Sequence, residues 1–66
     1  MQVVVNGQAR EIADDATVAS VVPSVTEAPS GVAVAVNGDL VTRSQWSATS
    51  LHEADQLEVL TATQGG

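Results

Sequence analysis

Few side chains in this protein are equipped for chemistry. The sequence has no cysteine and a single histidine, His52. Without cysteine there is no thiol nucleophile, no disulfide and no cysteine-ligated zinc. His52 sits near Glu53 and Asp55, a cluster that suggests metal binding or acid–base work. One imidazole without a second nitrogen ligand makes a weak metal site, so His52 reads better as a loop histidine. The sequence contains no glycine-rich phosphate loop, no Cys–His pair and no Ser–His–Asp order. What remains is the C-terminal stretch TATQGG, in which Gly65 and Gly66 follow Thr61, Ala62, Thr63 and Gln64. Two residues without Cβ form a thin, adaptable thread ending in a carboxylate. Taken alone, such a tail also reads as a frayed end, because termini are commonly poorly ordered.

The rest of the chain sets what could position that tail. At 66 residues it is one domain. A domain this small buries only about 60% of its unfolded surface. With no disulfide available, stability rests on economical packing, or partly on a partner. Eight acidic residues stand against two arginines and no lysine, a formal net charge of -6. That balance argues strongly against nucleic-acid binding, which needs cations against phosphates, and against anionic membranes. It suits a partner with a basic surface, reached by electrostatic steering, or serves solubility alone. No run approaches the roughly 18 apolar residues of a membrane span. MQVVVNGQAR lacks the basic and apolar regions of a signal peptide. The expectation is a soluble, cytoplasmic protein, monomeric when free.

MQVVV is a run of β-branched residues and predicts a strand. Asn6-Gly7 predicts a two-residue type I′ turn, since both central residues need positive φ. QAREI returns. This register places Val5 opposite Gln8, Val4 opposite Ala9, Val3 opposite Arg10 and Met1 opposite Ile12. Opposed residues share a face, so Met1, Val3, Val5 and Ile12 face the core, while Val4 and Ala9 face out. Arg10 falls on the core side and must either snorkel its charge past the sheet edge or sit at a bulge. Thr17 is a candidate N-cap, with Asp14 and Asp15 near the positive end of a helix. Val18, Val21, Val22 and Val25 fall at helical spacing. Pro23 objects to a long helix, so the predicted helix covers about 17–22. Glu27 to Gly31 reads as a loop.

VAVAVNGDLV predicts a second hairpin around Asn37-Gly38. Val32, Val34 and Val36 face the core, and Ala33 and Ala35 form a flat outer face. RSQW predicts an irregular turn anchored by Trp46, the only aromatic residue. In EADQLEVL, Leu57 and Val59 point inward and Glu58 and Leu60 outward. The order hairpin, helix, hairpin, strand predicts an α+β domain over residues 1–60. One short helix packs against a four- to five-stranded mixed sheet, and residues 61–66 form a mobile tail. Val4, Ala9, Ala33, Ala35 and Leu60 then make an apolar outer surface beside the tail root, a candidate partner-docking site. Glu58, Glu11 and Asp55 around it could meet a basic rim.

This order, ending in Gly-Gly, resembles the β-grasp, ubiquitin-like superfamily, and more narrowly the sulfur carrier proteins of thiamin biosynthesis. The matching pieces are VVVNG, TVASVV, AVAVNGDLV, RSQW, ADQLEVL and the terminal GG. They cover nearly the whole chain. Each piece is common; their order, spacing and terminal position carry the resemblance. The family usually has Gly-Asp before its last strand where this chain has Ala54-Asp55. A positive φ at 54 would cost alanine about 1 kcal/mol.

The resemblance implies a non-enzymatic role. An E1-like activating enzyme, using ATP and Mg²⁺ that this chain does not itself bind, adenylates the Gly66 carboxylate. A sulfur donor system converts it to a thiocarboxylate, and thiazole synthase takes the sulfur. Glycine suits the task, since a Cβ would hinder the approach to the nucleotide, and the Gly-Gly thread spans about 7 Å. Gly65 gives the slim approach, and Gln64 and Thr63 make contacts in the enzyme channel. Alternatives with the same tail are the small subunit of molybdopterin synthase and a ubiquitin-like protein modifier. A plain interaction domain with an inert tail is the remaining one.

Overall fold

The structure is a computed structural model, and it describes residues 1–27 and 30–62. Five strands and one α-helix follow the predicted order: β1 (Gln2–Val5), β2 (Gln8–Glu11), α1 (Val18–Val25), β3 (Val32–Val36), β4 (Asp39–Val41) and β5 (Gln56–Thr61). A 3₁₀ turn, Arg43–Ala48, connects β4 to β5. The strands form one mixed sheet in the order β2-β1-β5-β3-β4. β5 lies at its centre, parallel to β1 and antiparallel to β3.

The first hairpin takes the predicted register, and the second forms around its predicted turn. Val5 pairs with Gln8, Val4 with Ala9 and Val3 with Arg10; Val36 pairs with Asp39 and Ala35 with Leu40. The turn residues Asn6, Gly7, Asn37 and Gly38 all have positive φ, the geometry that twists in step with the strands. Pairing in β1–β2 is unbroken, so Arg10 sits at no bulge. Its guanidinium instead reaches Ser24, 3.4 Å from both the carbonyl and hydroxyl oxygens.

The helix differs from its predicted span. It runs through Pro23 to Val25. A proline in a helix forfeits one hydrogen bond, to the carbonyl four residues back, but here its ring lies on the exposed side. Val25 behind it packs on the core, and the Thr26 N–H closes the last turn on the Val22 carbonyl at 3.0 Å. Apolar contact thus holds a turn that propensity alone would end. At the other end Thr17 is the N-cap, in a capping box with Ser20. Asp14 lies outside the first helical turn, which holds no acidic residue. Its carboxylate accepts from the Met1 ammonium at 2.9 Å, which holds the carboxyl below the usual range.

The core lies between the sheet and α1. Val3, Val5, Val34, Leu57 and Val59 meet Val18, Val21 and Val22, closed by Ala16, Trp46 and Leu51. Seven of these eleven buried side chains are valine. Valine is already stiff at χ1 and loses little freedom on burial, which suits a domain with little area to bury. No polar residue is buried among the described residues. The Trp46 indole N–H donates to the Val41 carbonyl at 3.1 Å, so its one polar atom is satisfied.

Leu51 is a core residue that the strand pattern does not reveal. It sits in a segment that pairs back on the helix start: Leu51 N–H donates to Ala16 and Val18 N–H to Thr49, with a bridge between Thr17 and Ser50.

Candidate functional site

The tail is built on the middle strand. β5 lies between β1 and β3, but β1 pairs only with its start, at Gln56 and Leu57, while β3 pairs with it from Leu57 to Thr61. Thr61 pairs with Val32, and the Ala62 N–H donates to the Gly31 carbonyl at 2.6 Å. Strand pairing therefore continues past residue 60, where the sequence pattern places the domain end. Gly31 has a positive φ of 71°, and a Cβ built on it would stand 3.0 Å from the Cβ of Ala62. Only a glycine lets the chain cross here without displacement. Thr63, Gln64, Gly65 and Gly66, with the expected tail mobility, lie outside the described residues.

Two side chains hold β5 in register as well. The Asn6 amide oxygen accepts from the Val59 N–H at 2.9 Å, and its nitrogen donates to the Val59 carbonyl at 3.2 Å. Asn37 accepts from the Gln56 N–H at 3.0 Å and donates to Asp55 at 3.0 Å. The two turn asparagines thus serve twice: their backbones make the tight turns, and their amides extend the ladder onto β5.

The predicted docking residues share the sheet face away from the helix. Val4 pairs with Ala9, Ala33 with Leu60, and Ala35 with Glu58. Ala9, Ala33, Glu58 and Leu60 are exposed; Val4 and Ala35 are half-buried. Leu60 is 64% exposed, one residue before the end of β5. Leu40 joins this face, paired with Ala35 and 71% exposed. The sequence reading left it out, although the two-residue turn at Asn37-Gly38 already placed it opposite Ala35. Glu11, opposite Gln2, also lies on this face.

Asp55 is not a rim charge. Its side chain is only 14% exposed and accepts from Asn37 Nδ2 and from the His52 N–H at 2.8 Å. Burial works against its charge, yet these hydrogen bonds outweigh it and hold the carboxyl below the usual range. The turn it stabilises contains Ala54 at a φ of 70°, the predicted strain. His52 Nδ1 lies 3.7 Å from Asp55, with the imidazole 81% exposed. Among the described residues, no group of three or more His, Cys, Asp or Glu could hold a metal ion, and no helix is long and apolar enough to cross a membrane.

On the helix side a groove of about 480 Å³ opens between α1 and the 3₁₀ turn, lined by Ala19, Val22, Pro23, Val32, Arg43 and Trp46 among others. The Arg43 guanidinium lies 5.4 Å from the centre of the Trp46 ring, within cation–π range.

The ThiS family model matches residues 3–66. The chain is 30% identical over 66 residues to the sulfur carrier protein ThiS of Escherichia coli (strain K12), with all of both chains covered. It is also similar to a thiamine biosynthesis protein (ThiS) of Geobacter metallireducens in its crystal structure. There the identity is 28%, the TM-score 0.81, and both chains are covered fully. The NMR solution structure of a thiamine biosynthesis protein from the same organism gives a TM-score of 0.80 at 28% identity, covering all of this chain and 88% of that one.

Proposed function

The chain belongs to the ThiS family, with its β-grasp fold, and on that premise we propose that it is a sulfur carrier protein of thiamin biosynthesis. The observation that carries this reading is the family match itself, which runs through Gly66 and so includes the terminal Gly-Gly.

In this role the reacting carbon is the Gly66 carboxyl carbon. A carboxylate is a poor electrophile, because resonance stabilises it and its oxygens leave badly. An activating enzyme with ATP and Mg²⁺ solves this. The carboxylate oxygen attacks the α-phosphorus, pyrophosphate leaves, and the acyl-adenylate carries a good leaving group. A sulfur nucleophile displaces AMP, and the resulting thiocarboxylate passes sulfur to a thiazole synthase. The carrier supplies no catalytic group. It supplies reach and fit: Gly65 and Gly66 for a narrow channel, Gln64 and Thr63 for contacts along it, and a rigid root at β5. The partner docks on the outer face formed by Val4, Ala9, Ala33, Ala35, Glu58 and Leu60, with Leu40 added. The net charge of -6 steers it toward a basic surface.

ATP–pyrophosphate exchange by the cognate activating enzyme tests the reading. The intact carrier should support exchange, and a chain lacking Gly66 should not. Exchange unaffected by the deletion would remove the tail from the reaction. Isopeptide adducts on cellular lysines would point to a protein modifier instead.

A further inference from the structure

Each tight turn places an asparagine before a glycine. In this dipeptide the glycine nitrogen can attack the asparagine side-chain amide with no Cβ in the way. At both Gly7 and Gly38 nothing lies within 4 Å of where a Cβ would be. We propose that Asn37 is a deamidation site, held slow by its clamp on β5, and that its conversion loosens the strand leading to the C-terminus.

The step balances without any co-reactant but water. The Gly38 nitrogen bonds to Asn37 Cγ, and the Cγ–Nδ2 bond breaks. The amide nitrogen leaves as ammonia, taking the Gly38 amide proton. Water then opens the succinimide, leaving aspartate or isoaspartate at position 37. In the folded protein both amide atoms of Asn37 are engaged, to the Gln56 N–H and to Asp55. The turn must open before Cγ can swing onto the Gly38 nitrogen. Asn6 is held in the same way, but its two bonds to Val59 are partly buried whereas those of Asn37 are exposed. Asn37 therefore opens and reacts first. The oxygen that replaces Nδ2 stands about 3.0 Å from Asp55 Oδ1, against a carboxylate only 14% exposed. Two carboxylates this close repel, at the residue just before β5 begins.

The test ages the intact protein at mildly alkaline pH and locates amide-to-acid conversion by peptide mapping, with and without denaturant. Asn37 should convert before Asn6, and folding should slow it about tenfold or more, as for a reaction that waits on local opening. Equal rates in the folded and unfolded chain, or conversion at Asn6 first, would overturn the proposal. Its consequence is tested with Asn37→Asp alone and combined with Asp55→Asn, which supplies the missing donor from the other side. The single variant should lower the denaturation midpoint, or fail to fold, and the double variant should recover it. A single variant as stable as the parent, or a double variant no better than the single, would contradict it.

Discussion

Ala54 holds a φ of 70° in the turn before β5, a conformation that costs a residue with a Cβ about 1–2 kcal/mol. Ala54→Gly should therefore stabilise the fold, by about 0.5–1 kcal/mol once the extra freedom of glycine in the unfolded chain is deducted. Chemical denaturation reads this directly; an unchanged or lower midpoint would mean that the strain is absent. Next to it, Asp55 makes the fold sensitive to acid. Its carboxyl is lowered in the folded state by the Asn37 and His52 hydrogen bonds, against the opposing effect of burial. A lowered carboxyl contributes stability that is fully present above its unfolded value, near pH 4, and is lost as pH falls through the folded value. The parent should lose stability below about pH 4 more steeply than Asp55→Asn does. Parallel acid limbs for the two proteins would show that Asp55 is not the group responsible.

At the scale of elements, the tail root depends on Gly31 and Ala62. Gly31→Ala adds both a strained φ and a Cβ 3.0 Å from that of Ala62. It should cost about 1–2 kcal/mol and weaken hydrogen-exchange protection at the Ala62 amide, which is bonded to Gly31. Full protection in the variant would mean that the crossing tolerates a side chain. The hairpins were legible in the sequence because a two-residue Asn-Gly turn leaves one register open, and alternation then assigns every face. The parallel pairing of β1 with β5 brings Val5 to Leu57 across most of the chain, and no local pattern encodes such a contact. Leu51 is hidden for a related reason: its partner, Ala16, is distant, and it lies outside any alternating run. The helix was read short because Pro23 is a local stop signal, and the packing of Val25 that overrides it is not local. Likewise Asp55 looked like a surface charge because nothing near it in sequence points to Asn37.

At the scale of the molecule, a small valine core supports a centrally placed β5 and an outer face with two prominent leucines, Leu40 and Leu60. Neither leucine contributes to the core. Changing Leu60 to Gln should leave stability within about 0.5 kcal/mol, while raising the KM of the activating enzyme for the carrier about tenfold. An unchanged KM would place the docking surface elsewhere. The central claim, however, concerns Gly66, and its most direct test is the intact mass of the protein. The chain is incubated with its activating enzyme, ATP and a sulfur donor, beside a Gly66 deletion. The account predicts a gain equal to the replacement of one oxygen by sulfur, mapped to Gly66 and absent from the deletion. No gain at Gly66, under conditions in which an established carrier is converted, would contradict it.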